Sequence, residues 1–194
     1  MMRSILVRGG VIAVSAILLV GCASPHPKEE SDRQTLASAS AASLNGFTND
    51  DPSLKPLLDK AVGYAVFPDV GKAGFIAGAS YGKGEVYEGG KMVGYADITQ
   101  GTFGLQAGAQ TFDELLVFMR PQELADFKGN EFKLAGNVSA VAIKSGAAAT
   151  ADASKGVIAF VRSKGGLMAE ASIGGQRFRF TPVGAAATTQ PSGG

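Results

Sequence analysis

The 194-residue chain has 18 basic and 17 acidic residues, a formal charge of +1, 45% hydrophobic side chains, 27 glycines, one cysteine, one histidine and no tryptophan. So even a balance leaves no basic field of the kind nucleic-acid binders show, and a lone cysteine excludes an internal disulfide framework. The apolar content over residues 50–183 suffices for one domain with its own core.

In chain order, Arg3 and Arg8 make a positive opening. Val11 to Val20, apolar except for Ser15, has the length of a signal-peptide hydrophobic region and falls short of the roughly 20 residues a bilayer helix needs. Leu19-Val20-Gly21-Cys22 follows at once and resembles the lipobox of bacterial lipoproteins at all four positions. Small residues before the cleavage point let the chain lie extended in a peptidase, and the thiol is the atom that receives diacylglycerol. The resemblance implies a signal peptide over residues 1–21 and lipidation of Cys22, with an amide-linked acyl chain such as palmitate. Loss of Arg3 and Arg8 takes the formal charge from +1 to −1. Ala23 and Ser24 occupy the positions where lipoprotein sorting is read, and neither is the Asp that resembles an inner-membrane retention signal. The expected location is therefore the outer membrane, lipid-anchored and facing the periplasm.

Residues 22–49 are expected to be a tether: Ser/Ala-rich, with too few large apolar side chains to offset their own ordering entropy. Within it, Gln34 to Leu44 is expected to be helical only when packed against something, because an isolated helix of that length is marginal. Asp51-Pro52 resembles an N-cap followed by a first-turn proline, and Leu54, Leu57, Leu58 and Ala61 recur at helical spacing. Tyr64 to Pro68 predicts a strand. Thr102 to Gln110 alternates with period two, placing Phe103, Leu105, Ala107 and Ala109 on one face. Glu88-Gly-Gly-Lys91, Lys164-Gly-Gly166 and Gly174-Gly175 are hairpin signals. Pro121 to Phe127 predicts a short helix with Leu124 and Phe127 inward, and Gln176 to Phe180 a last strand with Arg out and Phe in. The tail, residues 184–194, is of the small and polar composition that stays disordered.

Strands separated by glycine turns, with two or three short helices, predict an α+β fold with a mainly antiparallel sheet. Glycine inside strands marks bulges, bends and close backbone approach. The expected sheet is therefore glycine-rich and strongly coiled, or a small barrel.

Three opening blocks, Asp51 to Pro68, Gly71 to Phe75 and Tyr81 to Val86, resemble the start of the SYLF domain. Gly101 to Gln110 with Leu115 to Met119 is similar to its bacterial middle block, and Arg162 to Gly165 with Leu167 to Ala169 to its closing block. Together they span residues 50–183 in the family's order. The resemblance implies lipid binding: eukaryotic SYLF domains are associated with phosphoinositide membranes, and some with actin filaments. Neither phosphoinositides nor actin is expected in a bacterial envelope, so the expectation narrows to anionic phospholipid headgroups.

No catalytic residue, cofactor or metal site is expected. His26 lies between two prolines in the tether and Cys22 is used for acylation, which removes Cys–His dyads, Ser–His–Asp triads and histidine zinc sites from the folded part. Asp113/Glu114 and Glu123/Asp126 are expected to be solvated charges on a strand edge and an exposed helix turn. The candidate lipid-binding cations lie on glycine turns within the family-like blocks: Lys72, Lys83, Arg162 and Lys164. There a small loop brings an ammonium or guanidinium to a phosphate while backbone N–H groups add donors. Two readings follow: a module for anionic phospholipids at the membrane, or an envelope interaction lipoprotein that binds a protein partner. No nucleic acid is expected.

Overall fold

A computed structural model describes residues 27, 29–73, 77–103, 110–130, 132, 138–142, 144–164 and 176–185. The expected signal peptide, Cys22, His26, the turn at 174–175 and the tail from 186 lie outside the described residues, as do most of the alternating 102–110 stretch and Gly165-Gly166.

The elements run α1 (Glu30–Asp50), α2 (Leu54–Lys60), β1 (Gly63–Ala73), β2 (Ala77–Glu88), β3 (Lys91–Phe103), β4 (Gln110–Phe118), α3 (Pro121–Lys128), β5 (Val138–Ala142), β6 (Val157–Ser163) and β7 (Gln176–Pro182). Two 3-10 turns, Ala148–Thr150 and Ala153–Lys155, lie between β5 and β6. The strands form one sheet in the order β5-β6-β4-β1-β2-β3-β7. All neighbours are antiparallel except β5 and β6, which run parallel.

The fold is α+β, and the sheet is open, with β5 and β7 as its two edges. It is nonetheless strongly coiled. Four strand spacings separate β4 from β7, about 19 Å in a flat sheet. Yet Gln176 Nε2 on β7 donates to Glu114 Oε2 on β4 at 2.7 Å, and the rings of Phe67 on β1 and Phe178 on β7 lie 5.6 Å apart. Gly84 allows this curl, because a Cβ there would run into the Val66 carbonyl and the Phe67 ring. The β2–β3 hairpin turns at Gly89 and Gly90, with φ of 55° and 78°. That conformation suits a primed turn and is open to glycine without steric cost.

The concave face is filled by phenylalanine: Phe67, Phe112, Phe118, Phe127, Phe132 and Phe178, with Leu116, Leu124 and Ile98. Centroid distances of 5.1 Å for Phe118–Phe127 and 5.4 Å for Phe127–Phe178 place these rings in tilted contact. Burial of each such side chain contributes about 1.5–3 kcal/mol. α3 closes this side with Leu124 and Phe127 inward, and Phe178 on β7 points inward while Arg177 and Arg179 point out, both as expected.

The opposite face packs Val66, Leu115, Val117, Ile158 and Phe160 against Phe47 of α1 and Leu54 of α2. α1 is the longest helix of the described residues, so residues 30–49 of the expected tether are helical rather than extended. The cause is the packing that the sequence made a condition: Phe47 is fully buried, and Ser40 and Ser43 are small enough for the helix to approach β1 and β2 closely.

At Asp51 the expected cap is displaced. α2 begins at Leu54, with Ser53 before it. Asp51 is fully buried and its carboxylate accepts from Ser53 N (3.0 Å), Ser53 Oγ (2.6 Å), Gly146 N (3.0 Å) and Ala148 N (2.7 Å). It ties the α1–α2 junction to a turn some 95 residues away. Burial works to raise its pKa, and the hydrogen bonds from Ser53, Ala148 and Gly146 outweigh it, holding the carboxyl below its ordinary value.

Candidate functional site

The four cations singled out in the sequence fall in different surroundings. Lys72 stands on β1 opposite Ser80 of β2 and Gln110 of β4; its side chain lies outside the described residues. Arg162 and Lys164 converge on one carboxylate. Arg162 Nε meets Asp50 Oδ2 at 2.7 Å and its Nη1 meets Asp113 Oδ2 at 3.2 Å. Lys164 Nζ meets Asp69 Oδ1 at 2.7 Å and Asp113 Oδ1 at 3.0 Å. The Asp69 N–H also donates to Asp113 Oδ1, at 3.1 Å.

Local structure explains the convergence. Asp113 is directly opposite Arg162 in the β4–β6 ladder. Asp69 sits in an irregularity of β1 between Phe67 and Val70, with φ of 57°. Pro68 has no N–H to give the ladder, and aspartate tolerates the left-handed conformation. Asp50 ends α1. Arg162 passes close beneath that helix, since a Cβ at Gly46 would stand 2.8 Å from Arg162 Cζ. The hydrogen bond that Arg162 donates to Asp50 raises the Arg162 pKa; for Lys164, burial opposes the charge and is outweighed by Asp69 and Asp113. The cluster fastens α1, the β1 bulge, β4 and β6 at one point, and both cationic heads are engaged.

This corrects the reading of the carboxylate pairs. Asp113 and Glu114 are fully buried, because β4 lies between β6 and β1 and both faces of the sheet are covered. Asp113 meets its cations on the α1 side, whereas Glu114 receives Gln176 on the concave side. Glu123 is also buried, 3.5 Å from Arg120 Nε, and Asp126 accepts from Gln122 Nε2 at 2.7 Å.

Lys83 belongs to a different place. On one side it borders a groove of about 320 Å³ beneath α1, with Asp32, Leu36, Pro68 and Asp69. On the other it begins a cross-strand row: Lys83 on β2 is opposite Asp97 on β3, which is opposite Arg179 on β7. A second row beside it holds Tyr81, Thr99 and Arg177. Tyr81, Thr99, Arg177 and Arg179 are exposed, while Asp97 beneath them is buried. Arg179 Nη1 is 4.0 Å from Asp97 Oδ2, the outer limit of an ion pair. Burial pushes the Asp97 carboxyl up, against the pull of Arg179 and Lys83. A pocket of about 310 Å³ opens between Thr99, Asn130, Arg177 and Arg179, with Asp97 at its side.

In the sequence, Arg177 and Arg179 are only the outward half of an alternating strand. The available signal was their spacing: residues i and i+2 of a strand share a face. What the sequence alone did not show was that β3 would place Thr99 and a buried Asp97 beside them.

The segment from Thr99 to Pro182 matches the family model described as Ysc84, Las17-binding protein actin regulator. No curated protein matches the chain. The match takes in the middle and closing blocks quoted above; the opening blocks at 51–86 precede it. It contains Asp113, Arg162 and Lys164 of the ion-pair cluster and Thr99, Arg177 and Arg179 of the exposed rows. The match supports a SYLF domain over residues 99–182.

Proposed function

We propose that the protein is a lipid-binding lipoprotein of the bacterial envelope, anchored through acylated Cys22 in the outer membrane on its periplasmic side, whose SYLF domain recognises anionic phospholipid headgroups. The observation that carries the reading is a local excess of positive charge in a nearly neutral protein. Lys83, Arg177 and Arg179 flank Asp97 on one face of β2, β3 and β7, and among the described residues Arg177 and Arg179 meet no closer carboxylate than Asp97. The match of residues 99–182 to a family model related to lipid binding and actin regulation supports it. Each basic residue near an anionic surface contributes about 1 kcal/mol, which suits weak recruitment by the domain rather than permanent attachment. Permanence is the role of the anchor, since stable attachment takes more than one acyl chain.

Two measurements test this. Mass spectrometry of membrane-extracted protein should find Cys22 as the first residue, carrying diacylglycerol and an amide-linked chain; Cys22→Ser should leave the protein unprocessed or soluble. An unmodified Cys22 refutes the anchor. A chain beginning at Ala23 should co-sediment with vesicles of phosphatidylcholine mixed with phosphatidylglycerol better than with phosphatidylcholine alone, and less so as salt rises. Equal binding to both refutes headgroup recognition.

A further inference from the structure

Resting on that reading, we infer that the phosphate of an anionic phospholipid is held between Arg177, Arg179 and Thr99, with the Tyr81 ring set into the membrane interface beside it.

Phe178 turns into the core, so Arg177 and Arg179 emerge on one face of β7, two residues apart. That spacing corresponds to about 7 Å along a strand. A phosphate between them can accept from both guanidinium forks, the donor arrangement best matched to phosphate oxygens. The pocket of about 310 Å³ lies at this point, and Thr99, opposite Arg177 in the ladder, adds a hydroxyl.

The arginines have donors to give. Among the described residues no carboxylate pairs with Arg177. Arg179, 63% exposed, reaches Asp97 only at 4.0 Å, against the 2.7 Å contact that engages Arg162. Arg177 and Arg179 carry two positive charges against the one carboxylate of Asp97, so an anion completes the group.

Tyr81 makes a membrane the occupant rather than a dissolved phosphate. It is a large, 39% exposed side chain in a row with Thr99 and Arg177, and its hydroxyl-tipped ring suits the boundary between headgroups and acyl chains. The site also lies on a sheet face, where a headgroup can be met while its acyl chains stay in the bilayer.

The test uses the chain beginning at Ala23, which keeps every described residue, with the two vesicle types above. Wild type should prefer the anionic vesicles. Arg177→Gln/Arg179→Gln should weaken that binding about thirty-fold, two surface cations being removed. Arg177→Lys/Arg179→Lys should retain part of it, and Tyr81→Ser should weaken it further by removing the interfacial ring. Substituting the exposed Lys91 and Lys155 by Gln should have a much smaller effect. Circular dichroism should be unchanged throughout, the side chains being exposed. Wild type without anionic preference overturns the headgroup reading itself. Wild-type preference that survives in Arg177→Gln/Arg179→Gln overturns this site alone. Glycerol phosphate displacing the protein completely from vesicles, with Tyr81→Ser binding like wild type, would show a site for dissolved phosphate and overturn the membrane assignment.

Discussion

Arg162 with Lys164, and Arg177 with Arg179, are two basic pairs of the same spacing in the same family segment, and they meet opposite environments. The first pair faces a carboxylate from which water is excluded, Asp113, with Asp50 and Asp69 closing the remaining directions. The second faces solvent, with one carboxylate at the limit of pairing distance. A basic residue becomes available to a ligand through the absence of a closer internal anion. That absence is decided by strand pairing and not by the residue's own neighbours in sequence. The first pair fastens elements of the fold together, and the second is the pair proposed above to bind.

The largest effect that divides them is on stability. Arg162→Gln/Lys164→Gln strands the Asp113 charge in the interior, and an uncompensated buried charge costs about 3–5 kcal/mol. The thermal midpoint should fall by about 10 °C. Adding Asp113→Asn should recover part of the loss, because the orphaned charge is then gone. Arg177→Gln/Arg179→Gln should leave the midpoint within a degree or two. Equal midpoints for the two double variants would erase the distinction.

These contrasts also mark where the sequence could be read and where it could not. Alternation in Gln176 to Phe180, the helix at Pro121, the Glu88-Gly-Gly-Lys91 turn and the coiled sheet were all legible, because each is fixed by neighbours a few residues apart or by glycine content. The partners of Arg162 were not. Asp113 and Asp50 lie 49 and 112 residues from it, and only the β4–β6 register and the docking of α1 bring them together. The same holds for Asp113 and Glu114 themselves. On a β4 at the edge of the sheet they would have been solvated, and it is the strand order that buries them. α1 was legible only conditionally, since its Ser/Ala sequence makes a helix when a sheet is there to receive Phe47. Among the candidate cations, Lys83 alone borders both surroundings, the groove under α1 and the exposed rows.

A second effect, of about 3 kcal/mol, belongs to Asp51, which joins the helical layer to the turn at 146–148. Asp51→Ala would leave the Gly146 and Ala148 amides without their acceptor, and hydrogen bonds to a charged group contribute about 1.5–3 kcal/mol each. The pH dependence has a definite sign. The folded carboxyl titrates below its ordinary value, so its contribution is complete above the unfolded pKa and is lost as pH falls through the lower, folded one. Urea midpoints of wild type should therefore decline below about pH 4. The Asp51→Ala protein, already weakened, should show a shallower decline. A parallel decline in both would mean that other carboxylates govern acid unfolding.

The smallest effect, and the sharpest on the exposed rows, comes from Asp97→Asn. Asp97 is the described carboxylate that opposes the positive charge of Lys83 and Arg179, and it is buried where burial disfavours its charged form. Its pKa is raised in the fold, so its ionisation detracts from stability as pH rises past the unfolded value toward the folded one. Asparagine removes that loss and keeps a side-chain oxygen to accept the Arg179 backbone N–H that now bonds the carboxylate. Stability at neutral pH should then be unchanged or slightly higher. Arg179 meanwhile loses its only described counter-charge, and the local excess rises by one unit. Binding to anionic vesicles should strengthen about fivefold, one further unit of positive charge being worth about 1 kcal/mol at such a surface. The same substitution should leave binding to neutral vesicles alone. Weaker anionic binding in Asp97→Asn, with an undiminished thermal midpoint, would mean that the carboxylate orients Arg179 toward the ligand rather than competing with it.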